Sequence, residues 1–133
     1  MKILLIHTLY KEKGGEDVVV ENERRLLKQN GYEVEVLYFT NAGNTAFNLL
    51  MLPFNVAAYR KVSRKMAAFQ PDLVHLHNLH FAASPSVIWA VKRKKIPVVK
   101  TLHNYRLLCP SGTLFHNNNL YYNSLYTSFP GRQ

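Results

Sequence analysis

The sequence predicts an α/β fold built on a doubly wound parallel sheet, and three observations carry that expectation. Short β-rich apolar runs alternate with amphipathic helical segments in the order βαβαβαβ. The loops between them are only a few residues long, as crossover units require. Polar residues fall just past the strand ends, the edge where open parallel sheets bind their ligands. A chain of 133 residues, 47% of them hydrophobic, has the size of one domain with a single core.

The elements follow in order. Lys2 to His7 (KILLIH) reads as a buried central strand. A helix follows over EDVVVENERRLLKQNG, with Glu16 and Asp17 at its positive end, Arg24, Arg25 and Lys28 toward the other, and Gly31 as the left-handed stop. Its apolar face is expected from Val19, Val20, Leu26 and Leu27. Tyr32 to Phe39 alternates as a second strand, completing a βαβ unit. The stretch from Asn44 to Gln70 is helical in period, with Leu52, Val56, Tyr59, Val62, Met66 and Phe69 on one stripe and Pro53 starting or kinking it. Pro71 to His77 is the third strand. Ser84 caps the next helix, with Pro85 at its first position and KRKK closing it. Ile96 to His103 is the fourth strand.

Composition removes several classes of function. A lone cysteine, Cys109, excludes an internal disulfide framework and fits a reducing compartment. MKILLIHTLY lacks the pattern of a secretory signal, and no apolar stretch reaches the ~18 residues of a membrane span. The expected location is cytoplasmic, peripheral on the inner face of the plasma membrane. Charge is uneven. Residues 1–35 carry six Lys/Arg against seven Asp/Glu, whereas residues 36–133 carry eleven against the single Asp72, giving the total of +9. The second part therefore suits an anionic neighbour.

The residues closing the strands are His7 to Tyr10, then His75, His77 and Asn78, then His103, Asn104 and Arg106. His75 and His77 share a strand face, so one of them can serve simply as packing. Zinc is disfavoured, because its ligands usually pair across a turn or along a helix rather than in a strand. Magnesium finds no acidic cluster beyond Glu35. Neither a metal nor a cofactor is expected. Gly14 and Gly15 lie in the first strand-to-helix loop and would let a ligand approach the helix N-terminus, or would form a plain surface turn. The G-x-G-x-x-G fingerprint and the P-loop are missing, which argues against a nicotinamide enzyme. Glu16 and Asp17 would partly repel a phosphate there, which makes sugar hydroxyls at least as good a partner. Arg60, Lys61, Arg64 and Lys65 pair at i, i+4 beside an apolar stripe, the pattern of an interfacial helix on anionic lipid or of a solvated face over a core stripe.

Three segments, GGEDVVVENERRLLKQNGYEVEVL, PDLVHLHNLH and VVKTLHNYRLLCPSGTLF, resemble the N-terminal domain of the family 4 glycosyltransferases, retaining enzymes of the GT-B fold. The resemblance spans Met1 to about His116 and leaves 117–133 as a polar, aromatic tail, truncated or poorly ordered. It implies a Rossmann-like doubly wound parallel sheet forming the acceptor side of a two-domain cleft. It also implies a nucleotide-sugar donor bound mainly by a second domain, a saccharide or lipid-linked acceptor, and a role in cell-surface polysaccharide or glycolipid synthesis without a catalytic metal. Carried onto this chain, Gly14 and Gly15 border the donor phosphates and sugar. His77 and Asn78 line the cleft, and His103 reaches the transferred sugar. Arg106 and Cys109 fall in a shared loop without an assigned role.

Members run to two or three times this length, and the acidic E-x7-E motif of the donor half is missing from these residues. The chain is thus expected to be inactive alone. The alternatives are a nucleic-acid-binding module or a membrane-surface module without catalysis. Nucleic acid is disfavoured, since the eight Tyr and seven Phe cluster in helix stripes and the tail rather than interleaving with cations.

Overall fold

A computed structural model describes residues 1–9, 14–40, 54–79, 84–105, 112–116 and 119–120. The chain divides into two compact units, Met1–Thr101 and Leu102–Gln133.

The first unit is a four-stranded parallel sheet in the order β2-β1-β3-β4. Its strands are β1 (Lys2–Leu9), β2 (Glu33–Thr40), β3 (Leu73–Leu76) and β4 (Val98–Lys100). The helices are α1 (Gly15–Gln29), α2 (Val56–Phe69) and α3 (Ser86–Arg93). The sheet is Rossmann-like, with helices on both faces. Ile3 stands opposite Val34 on one side and Leu73 on the other, so β1 is central, and its interior residues are buried on both faces. The chain winds outward from β1 first to β2 and then to β3, which makes the gap between β1 and β3 the topological switch point.

Strand alternation sorts the core into two layers. Leu4 and Ile6 of β1, Leu37 and Phe39 of β2, and Val74 and Leu76 of β3 meet Val62, Met66 and Phe69 of α2 and Val87, Ala90 and Val91 of α3. On the opposite face Ile3, Leu5 and Val34 meet Val20 of α1, with Leu27 packed alongside. The α1 face differs from the sequence expectation, since Val19 is 46% and Leu26 59% exposed. The stripe that meets the sheet is Glu16, Val20, Glu23 and Leu27, spaced at one and two turns, and half of it is carboxylate.

Local signals set the helix ends. Asp17 Oδ2 accepts the Gly14 N–H at 2.9 Å, the reciprocal half of a capping box. Gly31, at φ +82°, stops α1 where a side chain would be strained. The Asn55 side chain caps α2 by accepting from the Ala58 N–H at 3.0 Å, and Gln70, at φ 52°, ends it ahead of Pro71. The first part of the predicted helix, with Pro53, lies outside the described residues. Ser84 Oγ accepts from the Ser86 N–H at 3.2 Å, but Pro85, expected at the first helical position, stands at the N-cap of α3, and the helix begins at Ser86. In the second unit, β5 (Phe115–His116) pairs antiparallel with β6 (Asn119–Leu120), and the Tyr105 N–H donates to Gly112 O at 2.9 Å.

Candidate functional site

At the switch point, the carboxyl ends of β1 and β3 and the amino end of α1 come together. The Thr8 N–H donates to Asn78 O at 3.0 Å and the His77 N–H to Ile6 O at 2.9 Å, so β3 stays zipped to β1 past its last ladder residue. The Asn78 side chain, 6% exposed as a residue, then donates through Nδ2 to Glu16 Oε2 at 2.6 Å. One hydrogen bond thus straps the end of β3 to the first turn of α1. Gly14, Glu16 and Asn78 share this rim.

Asp17 fixes the glycine turn from below. Its Oδ1 sits 2.7 Å from His7 Nε2, and its Oδ2 holds the Gly14 N–H. His7 is wholly buried, and its Nδ1 and the neighbouring Thr8 Oγ1 find no hydrogen-bond partner among the described residues. Both acids expected to repel a phosphate are therefore engaged within the fold. Among the described residues, a Cβ built on Gly14 or Gly15 would meet nothing within 4 Å, and neither glycine has a positive φ. Packing does not demand glycine there. What glycine leaves is open space before a helix N-terminus, where backbone N–H groups and the helix dipole favour polar or anionic groups.

His77 occupies another layer. Its side chain is fully buried on the α1 face, with Nε2 3.3 Å from Glu23 Oε2 and its ring 4.3 Å from that of His75. His75 Nδ1 lies 2.5 Å from Glu23 Oε1, and its Nε2 lies 2.8 Å from Thr101 Oγ1. The His7 ring meets the His77 ring edge-on at 6.2 Å and the Tyr38 ring edge-on at 6.4 Å. Burial, then the charge of Glu21, pushes the Tyr38 phenol up, so it stays protonated beside His7 at neutral pH. A bank of imidazoles from β1 and β3 is thereby matched to carboxylates from α1.

His103 and Asn104 belong to the second unit, each partly buried. Arg106 and Cys109 lie outside the described residues. The residues that sequence reasoning missed are Asp17 as the anchor of the turn and Glu23 as the partner of two histidines. The signal was present, since acids at 16, 17 and 23 recur at helical spacing, but such acids ordinarily mark a solvated face.

The four cations of α2 divide. Lys61 Nζ donates to Tyr38 O at 2.7 Å and lies over the Phe39 ring, and Lys65 pairs with Glu35. Arg60 and Arg64 are exposed. Arg60 borders an open groove between α2 and α3, walled by Phe54, Val56, Ile88 and Trp89 and rimmed by Lys92 and Arg93. Among the described residues, no helix is long and apolar enough to cross a membrane.

An open parallel sheet with a glycine turn, a helix N-terminus and polar strand ends at its switch point defines a class, the Rossmann-like domains that hold ligands beyond their strand ends. The sequence profile of Glycosyltransferase Family 4 matches residues 13–130, and the chain belongs to that family as a glycosyltransferase N-terminal domain. No curated protein and no solved structure matches it.

Proposed function

We propose that this domain is the acceptor-binding half of a retaining, GT-B glycosyltransferase that moves a sugar from a nucleotide sugar to a saccharide or lipid-linked acceptor in polysaccharide or glycolipid synthesis. The observation that carries the reading is the family match across residues 13–130. The Asn78–Glu16 hydrogen bond, which ties the end of β3 to the first turn of α1 beside the glycines, supports it. In this reading the rim of Gly14, Gly15 and Asn78 borders the reacting sugar, and Asn104 and Arg106 are further binding residues. His77, seated against Glu23, orders that rim from beneath. His103 hydrogen-bonds a hydroxyl of the transferred sugar more strongly as positive charge develops at the anomeric carbon. The acceptor hydroxyl attacks the face from which the nucleoside diphosphate departs, a task of positioning and charge stabilisation rather than of strong base.

The test uses the complete enzyme with a panel of nucleotide sugars, following nucleotide release and the anomeric configuration of the product. Retention, with His103→Ala lowering kcat far more than donor affinity, is the expected result. Inversion, or full turnover by the 133-residue chain alone, overturns the reading.

A membrane-surface role is compatible with this function and rests on the α2/α3 groove. Trp89 is 66% exposed there between Arg60, Lys92 and Arg93, so apolar and cationic groups share one surface, as interfacial binding to anionic lipid requires. Trp89 is the only tryptophan, and its fluorescence reports on that surface alone. A blue shift with anionic but not neutral vesicles, lost in Arg60→Glu/Arg93→Glu, is expected. Oligonucleotide binding with a steep salt slope, and no vesicle binding, would favour the nucleic-acid alternative.

A further inference from the structure

Beneath the rim, between α1 and β3, lies a cluster of titratable side chains to which the proposed transfer gives only a positioning role. Glu23, His75 and His77 bring one ligand atom each to within 4.8 Å of one another. The two histidines alternate around Leu76 and so leave β3 on the same face, where their rings stack with an interplanar angle of 31°. Glu23 descends on them from α1, one turn past Val20, and spans the pair: Oε1 toward His75 Nδ1 at 2.5 Å and Oε2 toward His77 Nε2 at 3.3 Å. The side chains are 24%, 13% and 0% exposed for Glu23, His75 and His77. A carboxylate held between two imidazole nitrogens with so little water needs partners that face it, either ring N–H donors or a single metal cation.

We propose that Glu23, His75 and His77 form a site for a divalent zinc ion, coordinated by His75 Nδ1, His77 Nε2 and one Glu23 oxygen, with water completing the set. Three features select zinc. Two imidazoles and a carboxylate are a ligand set of zinc sites that keep one position for water, whereas the hard cations magnesium and calcium take oxygen. The far nitrogen of His75 is held by Thr101 Oγ1 at 2.8 Å, the outer hydrogen bond by which metal-binding imidazoles are oriented. Tetrahedral ligands at ~2.0–2.1 Å from zinc lie roughly 3.3 Å apart, the separation of His77 Nε2 from Glu23 Oε2. The closer His75 contact opens by rotation of the Glu23 carboxylate, the most exposed of the three. An ion there clamps α1 to β3, so it stabilises the fold rather than entering the sugar chemistry.

The experiment titrates the whole chain, stripped with chelator, with zinc by calorimetry and with cobalt by absorbance. One equivalent per chain is expected, with a rise in Tm of about 5 °C at saturating zinc and cobalt bands free of thiolate charge transfer. Zinc affinity should fall at least about tenfold in Glu23→Gln and in His75→Ala, and stay unchanged in Cys109→Ser. Binding that survives Glu23→Gln and His75→Ala, or is lost with Cys109, overturns the site. Circular dichroism checks each variant. If His75→Ala fails to fold, Glu23→Gln decides, and if neither folds, the absence of a zinc-dependent Tm shift in the parent chain counts against the site. No step requires a nucleotide sugar, so failure here leaves the transferase reading standing.

Discussion

The two faces of one sheet are held in different ways. Beneath α2 and α3 the contact is apolar throughout, with Leu4, Ile6, Val62, Val74, Leu76, Val87 and Val91 all at or below 1% exposure. Beneath α1 the apolar cluster is small, Ile3, Leu5, Val20 and Val34, and toward the carboxyl ends of β1 and β3 it gives way to His7, His75 and His77 facing Asp17 and Glu23. The first face supplies stability through burial, which has no direction. The second spends part of its contact area on hydrogen bonds, which do have direction, and these set where Gly14 and Asn78 stand. A rim that must hold its polar groups in register is better seated on the directional face than on the apolar one.

The comparison is broken most severely from the apolar side. Leu76→Ala removes a fully packed side chain from the centre of that layer and should lower unfolding free energy by about 2–5 kcal/mol in urea denaturation. A loss below 1 kcal/mol would mean that the layer is loosely packed and that the contrast between the faces is false.

On the polar side the larger effect belongs to Asp17→Ala, which strips the Gly14 cap and leaves buried His7 facing an empty place. It should cost about 1–3 kcal/mol, and amide exchange at residues 14–18 should accelerate while that at Val62 and Met66 stays unchanged. Uniform acceleration across both faces would show that Asp17 serves the whole fold rather than the turn.

Gly14→Ala sharpens the comparison by separating folding from binding. With no described residue within 4 Å of a Cβ there and an extended backbone, the substitution should change stability by less than about 1 kcal/mol. Donor or acceptor affinity in the complete enzyme should nevertheless fall several-fold. A binding-neutral Gly14→Ala would make the turn a plain surface loop.

The smallest effect is expected at the outer face of α1. Arg24 hydrogen-bonds Glu21 and holds its carboxyl below the ordinary range. Since the folded pKa is the lower one, the pair contributes stability above the ordinary carboxylate pKa and loses it as pH falls through the depressed value. Thermal melts of the parent chain and Arg24→Ala should differ slightly at pH 7 and converge in acid. A difference that persists in acid would assign Arg24 a packing role instead.

How much was legible beforehand varies by element. The four strands, the three helices and Gly31 as a stop were all readable, because turn chemistry and side-chain period are local properties of the chain. Placement of Gly14 and Asn78 beyond strand ends followed from the same alternation. The apolar face of α1 was misjudged at Val19 and Leu26. A helix bearing seven acidic and basic side chains in fifteen residues offers several amphipathic rotations, and only contact with the sheet selects one. For that reason the acid spacing at Glu23 did not distinguish a sheet-facing carboxylate from a solvated one.

By itself, then, the sequence determined an alternating α/β chain, its turns, its family and the strand ends where polar residues gather. The order β2-β1-β3-β4, the rotation of α1 and the meeting of Glu16 with Asn78, 62 residues apart, were decided by tertiary packing. The physical reason is range. Period and capping act within a few residues, whereas which strand lies beside which, and which carboxylate finds which imidazole, depends on burying two faces of the sheet at once.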